Sequence, residues 1–101
     1  MVKGYWVAHV TVQDPERYER YKAANAAAFK KYGGRFLVRA GQSRSMLGAL
    51  KDRHVVIEFP SYQAALDCYD SPEYQFAIAE RGEAGDIDLA IVEGYDGDQP
   101  A

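Results

Sequence analysis

The sequence predicts a single α+β domain whose elements run β-α-β-β-α-β, with the second helix broken in two. Three observations carry this. Residues 4–12 and 54–59 alternate with the two-residue period of a strand, and 87–93 is apolar on both sides. Two stretches between them repeat apolar residues at helical spacing. Both contain a capping residue followed by proline, Asp14-Pro15 in one and Ser71-Pro72 in the other.

The elements follow in order. In the first strand Trp6, Ala8, Val10 and Val12 form an apolar face, and Tyr5, Val7, His9 and Thr11 a mixed one. Tyr18, Tyr21, Asn25, Ala28, Phe29 and Tyr32 stripe a helix from about Pro15 to Tyr32, which Gly33-Gly34 ends. Residues 35–40 are a second strand. Gly41 marks a bulge or bend, and Ser43–Leu47 is a candidate continuation of the strand. Gly48–Arg53 is read as a turn, and His54–Phe59 as the third strand, stopped by Pro60. Ser61 caps a short helix striped by Tyr62, Ala65, Leu66 and Tyr69. Ser71-Pro72-Glu73 restarts a helix carrying Tyr74, Ala77, Ile78 and Arg81. Residues 87–93 are the last strand. Residues 1–95 are expected to form the one domain and 96–101 a flexible C-terminal tail. This order predicts the split βαβ, or ferredoxin-like, fold: a four-stranded antiparallel sheet with strand order 4-1-3-2 and helices on one face.

Composition bounds the function. A chain of 101 residues with net charge −3 has no basic stripe for nucleic acid. One cysteine, Cys68, allows neither an internal disulfide nor a multi-cysteine zinc site, and reads as a small buried filler. No apolar run is long enough for a membrane span and no leader pattern opens the chain, so a cytoplasmic location is expected. The helices cover one sheet face only. The other carries Tyr5, Val7, Leu37 and Val56, with Ala90 and Val92 of the doubly apolar last strand. Such a face is too apolar for water, so two copies are expected to pack it about a two-fold axis.

Polar residues on that second face are the candidate site. His9, mid-strand, is the candidate general base or ligand anchor. His54 and Glu58 lie on the same side of the third strand, about 13 Å apart, so His9 can meet only one of them. Glu58 is a candidate to orient an imidazole, bind a basic group or pair with Arg39. Arg35 and Arg39 are expected to share this side with Leu37, with Arg39 as a carboxylate clamp. Tyr5 and Tyr69 are candidates to stack on a flat ligand. Arg81 either caps its own helix or reaches the cleft rim. Asn25 is odd in an aromatic stripe, and its buried amide requires a partner. Two histidines and a carboxylate suit a metal by type, but no H-x-H spacing exists, so neither a metal nor another cofactor is expected.

Several strings carry a family likeness: Lys3-Gly4-Tyr5-Trp6, Asp14-Pro15-Glu16, Tyr32-Gly33-Gly34-Arg35-Phe36-Leu37, Val56-Ile57-Glu58-Phe59-Pro60-Ser61, Tyr69-Asp70-Ser71-Pro72-Glu73-Tyr74-Gln75 and Ile91-Val92-Glu93-Gly94. With them the chain resembles the family of uncharacterised domains numbered 1330, within the dimeric α/β-barrel superfamily. The resemblance implies the fold and the homodimer and supplies no reaction. The expected function is a small-molecule cleft at the sheet and dimer face, performing cofactor-free proton transfer, isomerisation or oxygenation of a conjugated substrate. The alternative is a non-enzymatic dimeric module whose polar cluster is interface structure. An enclosed cleft of roughly 300 Å³ or more, lined by His9, is the mark of the first.

Overall fold

The computed structural model describes residues 2–100. Strands β1 (Gly4–Val12), β2 (Arg35–Arg39), β3 (Arg53–Phe59) and β4 (Gly85–Glu93) form one antiparallel sheet in the order β2-β3-β1-β4. Helices α1 (Pro15–Tyr32), α2 (Tyr62–Asp70) and α3 (Pro72–Arg81) pack on one of its faces. This is the ferredoxin-like arrangement, with β1 and β3 as central neighbours.

Local chemistry sets the helix boundaries. The Asp14 carboxylate accepts from the Arg17 amide at 3.2 Å, and Pro15 follows at the first helical position. At the far end Gly33 adopts a left-handed φ of 75°, where a Cβ is disfavoured, and the Gly34 amide donates to Phe29 O at 2.8 Å. The break between α2 and α3 is built from Ser71-Pro72. The Ser71 hydroxyl donates to Cys68 O at 2.7 Å, closing α2, and accepts from the Tyr74 amide at 3.1 Å, opening α3. Pro72 has no N–H to continue the first ladder. In α2 the buried side is Ala65 and Cys68, while Tyr62 is exposed.

The core centres on Trp6. Its indole N–H donates to Ala65 O at 2.9 Å, and its ring meets Phe29, Tyr69 and Tyr74 edge-on and Phe59 at a tilt, with centroids 4.8–5.8 Å apart. One residue thereby ties β1 to β3 and all three helices.

Strand β2 departs from the expected pattern. Its register against β3 runs Arg35–Glu58, Phe36–Ile57, then Val38–Val56 and Arg39–Val55. Leu37 is the extra residue of a bulge, and everything after it switches face. Val38 turns away from the helices and Arg39 turns toward them, the reverse of simple alternation. The bulge therefore lies at Leu37 rather than Gly41. Beyond Arg39 no strand continues: Ser43–Leu47 belongs to a segment, residues 40–52, without regular structure. Ala40 opens it with φ 54°, and Met46, Leu47 and Leu50 are exposed along it. Lys51 ties its end to β4 through Asp88 at 2.5 Å.

Gly4 marks the tightest approach of backbone to backbone. A Cβ there would lie 2.5 Å from Ser61 O and 2.6 Å from Tyr62 Cα. Gly4→Ala is expected to destabilise the fold by about 1–3 kcal/mol through this overpacking, read as a lowered denaturant midpoint. An unchanged midpoint contradicts the tight seating of α2 on β1.

Candidate functional site

The register arranges the helix-free face of the sheet in rows. Its centre is an apolar row, Val38, Val56, Val7 and Ala90, crossing all four strands. On one side of it lies Arg35, Glu58, Tyr5 and Val92, and on the other His54, His9 and Asp88. Register decides the partner of His9: it is His54. Their Nδ1 atoms are 2.9 Å apart, with the rings edge-to-face, so one imidazole donates and the other accepts. Glu58 is remote from this pair. It accepts from the Tyr5 hydroxyl at 3.1 Å and pairs with Arg35 Nε at 3.1 Å. Desolvation, with the neighbouring Glu58 carboxylate, raises the Tyr5 phenol above its ordinary value. Asp88 is held below the usual carboxylate range by its hydrogen bond from Lys51.

A cavity of about 60 Å³ lies on the opposite face, between α1 and the sheet. Its floor includes Ala8, Val55, Ile57 and Leu89, and its roof Tyr21, Asn25 and Phe29 of α1 with Tyr74 of α3. At roughly 10–15 Å³ per water position it holds about four to six waters, and it opens to solvent on one side. Lys22, Arg39 and Arg53 also line it, Arg39 exposed and the other two half-buried.

Three polar features meet there. The Asn25 side chain is 7% exposed and takes part in none of the side-chain hydrogen bonds among the described residues. The Tyr21 and Tyr74 hydroxyls are 2.5 Å apart, and burial drives the Tyr74 phenol far above its ordinary value. One hydroxyl proton serves that bond, which leaves the other to donate elsewhere. Arg53 stacks over Tyr18, its Cζ 5.5 Å from the ring centroid, and its Nε is buried without a hydrogen-bond partner among the described residues.

Of the polar residues singled out in the sequence, Asn25 and Arg39 line this cavity. Arg39 lies on the helix side because of the Leu37 bulge, with its guanidinium 4.1 Å from the Phe36 ring centroid. The expected pairing of Arg39 with Glu58 is replaced by Arg35. His9, His54, Glu58 and Tyr5 share the other face, and the cavity is neither there nor of the expected size. Tyr69 packs edge-on against Trp6. Arg81 lies over Tyr21, 4.9 Å from its centroid. The carbonyls at the end of α3 are instead taken by Arg17 of α1, through Glu80 O at 2.9 Å and Ala79 O at 3.4 Å. Cys68 is fully buried and its thiol is pushed up to about 12, chiefly by desolvation, so it is not a nucleophile. Among the described residues no group of three or more His, Cys, Asp or Glu could hold a metal ion, and no helix is long and apolar enough to cross a membrane.

Asn25 was visible in the sequence as a polar residue in an aromatic stripe; Arg53 and the Tyr21–Tyr74 pair were not. Arg53 reads as the end of a turn, and the tyrosines read as core. An amide that water can reach and that no protein group bonds adds no hydrogen-bond stabilisation to the fold. Asn25→Leu is therefore expected to hold or raise the thermal midpoint. A loss of 1 kcal/mol or more by denaturant unfolding would mean that the amide is satisfied within the fold.

Similarity to known proteins follows the fold. The protein of unknown function RPA0582 from Rhodopseudomonas palustris is 18% identical, with TM-score 0.76 over 95% of this chain and 85% of that one. The cofactor-independent oxygenase SnoaB from Streptomyces nogalater is 19% identical, with TM-score 0.60 over 99% and 97%. A dimeric ferredoxin-like protein of unknown function from Thermobifida fusca is 16% identical, with TM-score 0.50 over 91% and 89%. At these identities the likeness is one of fold. No curated protein matches the sequence. A family model matches residues 3–95, and the chain belongs to that family, the domain of unknown function DUF1330.

Proposed function

We propose that the cavity between α1 and the sheet is a small-molecule site for cofactor-free chemistry on a conjugated substrate. The observation that carries this is Asn25: an amide with no side-chain hydrogen bond among the described residues, on a buried residue that lines a small, half-open space with an apolar floor. Natural cores avoid that arrangement unless a ligand or ordered water completes it. The amide and the spare hydroxyl proton of the Tyr21–Tyr74 pair suit a developing oxyanion, such as the enolate or phenolate of a conjugated carbonyl compound. A substrate acidic enough to lose its C–H proton to water at the open side of the pocket gives such a carbanion, which can be reprotonated elsewhere, and that is isomerisation. The carbanion can also reduce dioxygen itself, so that a methylene becomes a carbonyl and the second oxygen leaves as water. The fold shared with a cofactor-independent oxygenase supports this class of chemistry.

The emphasis thereby moves from a histidine base to anion stabilisation, because His9 faces away from the cavity. Conjugated ketones and phenols that bind, found by ligand-observed NMR, are expected to lose binding in Asn25→Leu and to show deuterium exchange or dioxygen uptake only with the unmodified protein. Affinity unchanged in the variant contradicts the site. Binding without turnover across the panel favours the alternative, a binding module.

The helix-free face supports a second part of the proposal, a homodimer. Its apolar row is flanked by the Arg35–Glu58–Tyr5 network and the His9–His54 pair, which then become interface structure. The dimeric relative of the same fold agrees with it. Sedimentation at micromolar concentration is expected to return twice the 11.3 kDa chain mass, and Val7→Arg to return a monomer. A monomeric unmodified protein overturns this assignment.

A further inference from the structure

We infer that the ligand of this cavity is a small monocarboxylic acid, aromatic or similarly compact, bound ring-first with its carboxylate between Arg53 and Arg39. The inference rests on the cavity being a ligand site and adds the ligand's charge and size. Three observations carry it.

The first is charge. The chain is acidic overall, with net charge −3, yet the charged residues lining the cavity are all cations: Lys22, Arg39 and Arg53. Glu19 answers Lys22 at 3.2 Å. Neither arginine has an ion-pair partner among the described residues. The second is the state of Arg53. A guanidinium carries five donors and no acceptor; the Nε is occluded, and the terminal nitrogens, which are not among the buried unpartnered atoms, are the donors left for an incoming anion. Its stacking on Tyr18 orients the guanidinium plane, which is the preorganisation that two-pronged carboxylate recognition requires. Arg39 is likewise braced on the Phe36 ring. The third is size. The space is small and half open, so it admits only a compact apolar group, and Arg39 among its cations is exposed to solvent. An apolar group therefore goes in and the charge stays at the edge. A di-acid inserted along its length would place its second carboxylate on Ala8, Val55, Ile57 and Leu89 instead.

The test uses four probes on the full chain: phenylacetate, its neutral isostere phenylacetamide, the cation phenethylamine and inorganic phosphate. Amide and methyl chemical shifts locate binding, and titration gives affinity. Phenylacetate is expected to shift residues lining the cavity and to bind about tenfold or more tighter than phenylacetamide, since a hydrogen bond to a charged group exceeds a neutral one by that order. Arg53→Gln is expected to abolish that preference while leaving the amide unchanged. Arg39→Gln, at an exposed position that tolerates change, is expected to weaken the acid as well. Equal affinity of acid and amide within the cavity overturns the proposed charge while leaving the cavity a site. Probes that shift no cavity residue overturn both. Tighter binding of phosphate, or acid binding away from the cavity, overturns the carboxylate assignment.

Discussion

The structure depends on where Trp6 is held. Trp6 is the third residue of β1, one of the two strands with neighbours on both sides, and its N–H is bound to the backbone of α2. Phe29 of α1, Phe59 of β3, and Tyr69 and Tyr74 of α2 and α3 take their places around it. The helical layer is thereby anchored near the Gly4 end of β1, where Gly4 lets α2 come close. Toward the other end of β1 the side chains under the helices shrink to Ala8 and Val10, and Asn25 faces them from α1. The cavity follows from that contrast: large rings hold the layers together at one end, and small floor residues fail to fill the gap beside them.

The bulge at Leu37 is the second determinant. An unbulged β2 would leave Arg39 on the helix-free face with Arg35, and the cavity would lose one of its two arginines. One inserted residue puts Arg35 on Glu58 and Arg39 over Phe36, on opposite faces of the same short strand. The same insertion returns Val38 to the apolar row that crosses the sheet, completing it at the β2 edge. A single backbone irregularity therefore serves both faces.

The order of elements, their ends and the strand order were legible because each has a local cause: period-two alternation, an Asp-Pro or Ser-Pro cap, a glycine in the left-handed region. Even the broken helix was readable from Ser71-Pro72. The bulge was not, since Arg35-Phe36-Leu37-Val38-Arg39 carries no glycine or other local mark of one, and the slip is decided by the pairing with β3. That error carried Arg39 to the wrong face. The His9–His54 pairing depends on register, which the sequence left between His54 and Glu58. The cavity was hidden for a different reason. Its walls are mostly aromatic and aliphatic side chains that look like ordinary core, and a packing gap leaves no mark in a residue pattern. Asn25 was the one sign of it, a polar side chain where the stripe called for an aromatic or an alanine.

The central claim is that Asn25 faces a space meant to be filled from outside the protein. A crystal structure of the purified, ligand-free protein tests it most directly, through the electron density between α1 and the sheet. The account predicts an open cavity with ordered water or a co-purified molecule hydrogen-bonded to the Asn25 amide. A closed cavity, with Asn25 bonded to a backbone carbonyl or swung into bulk solvent, would contradict it.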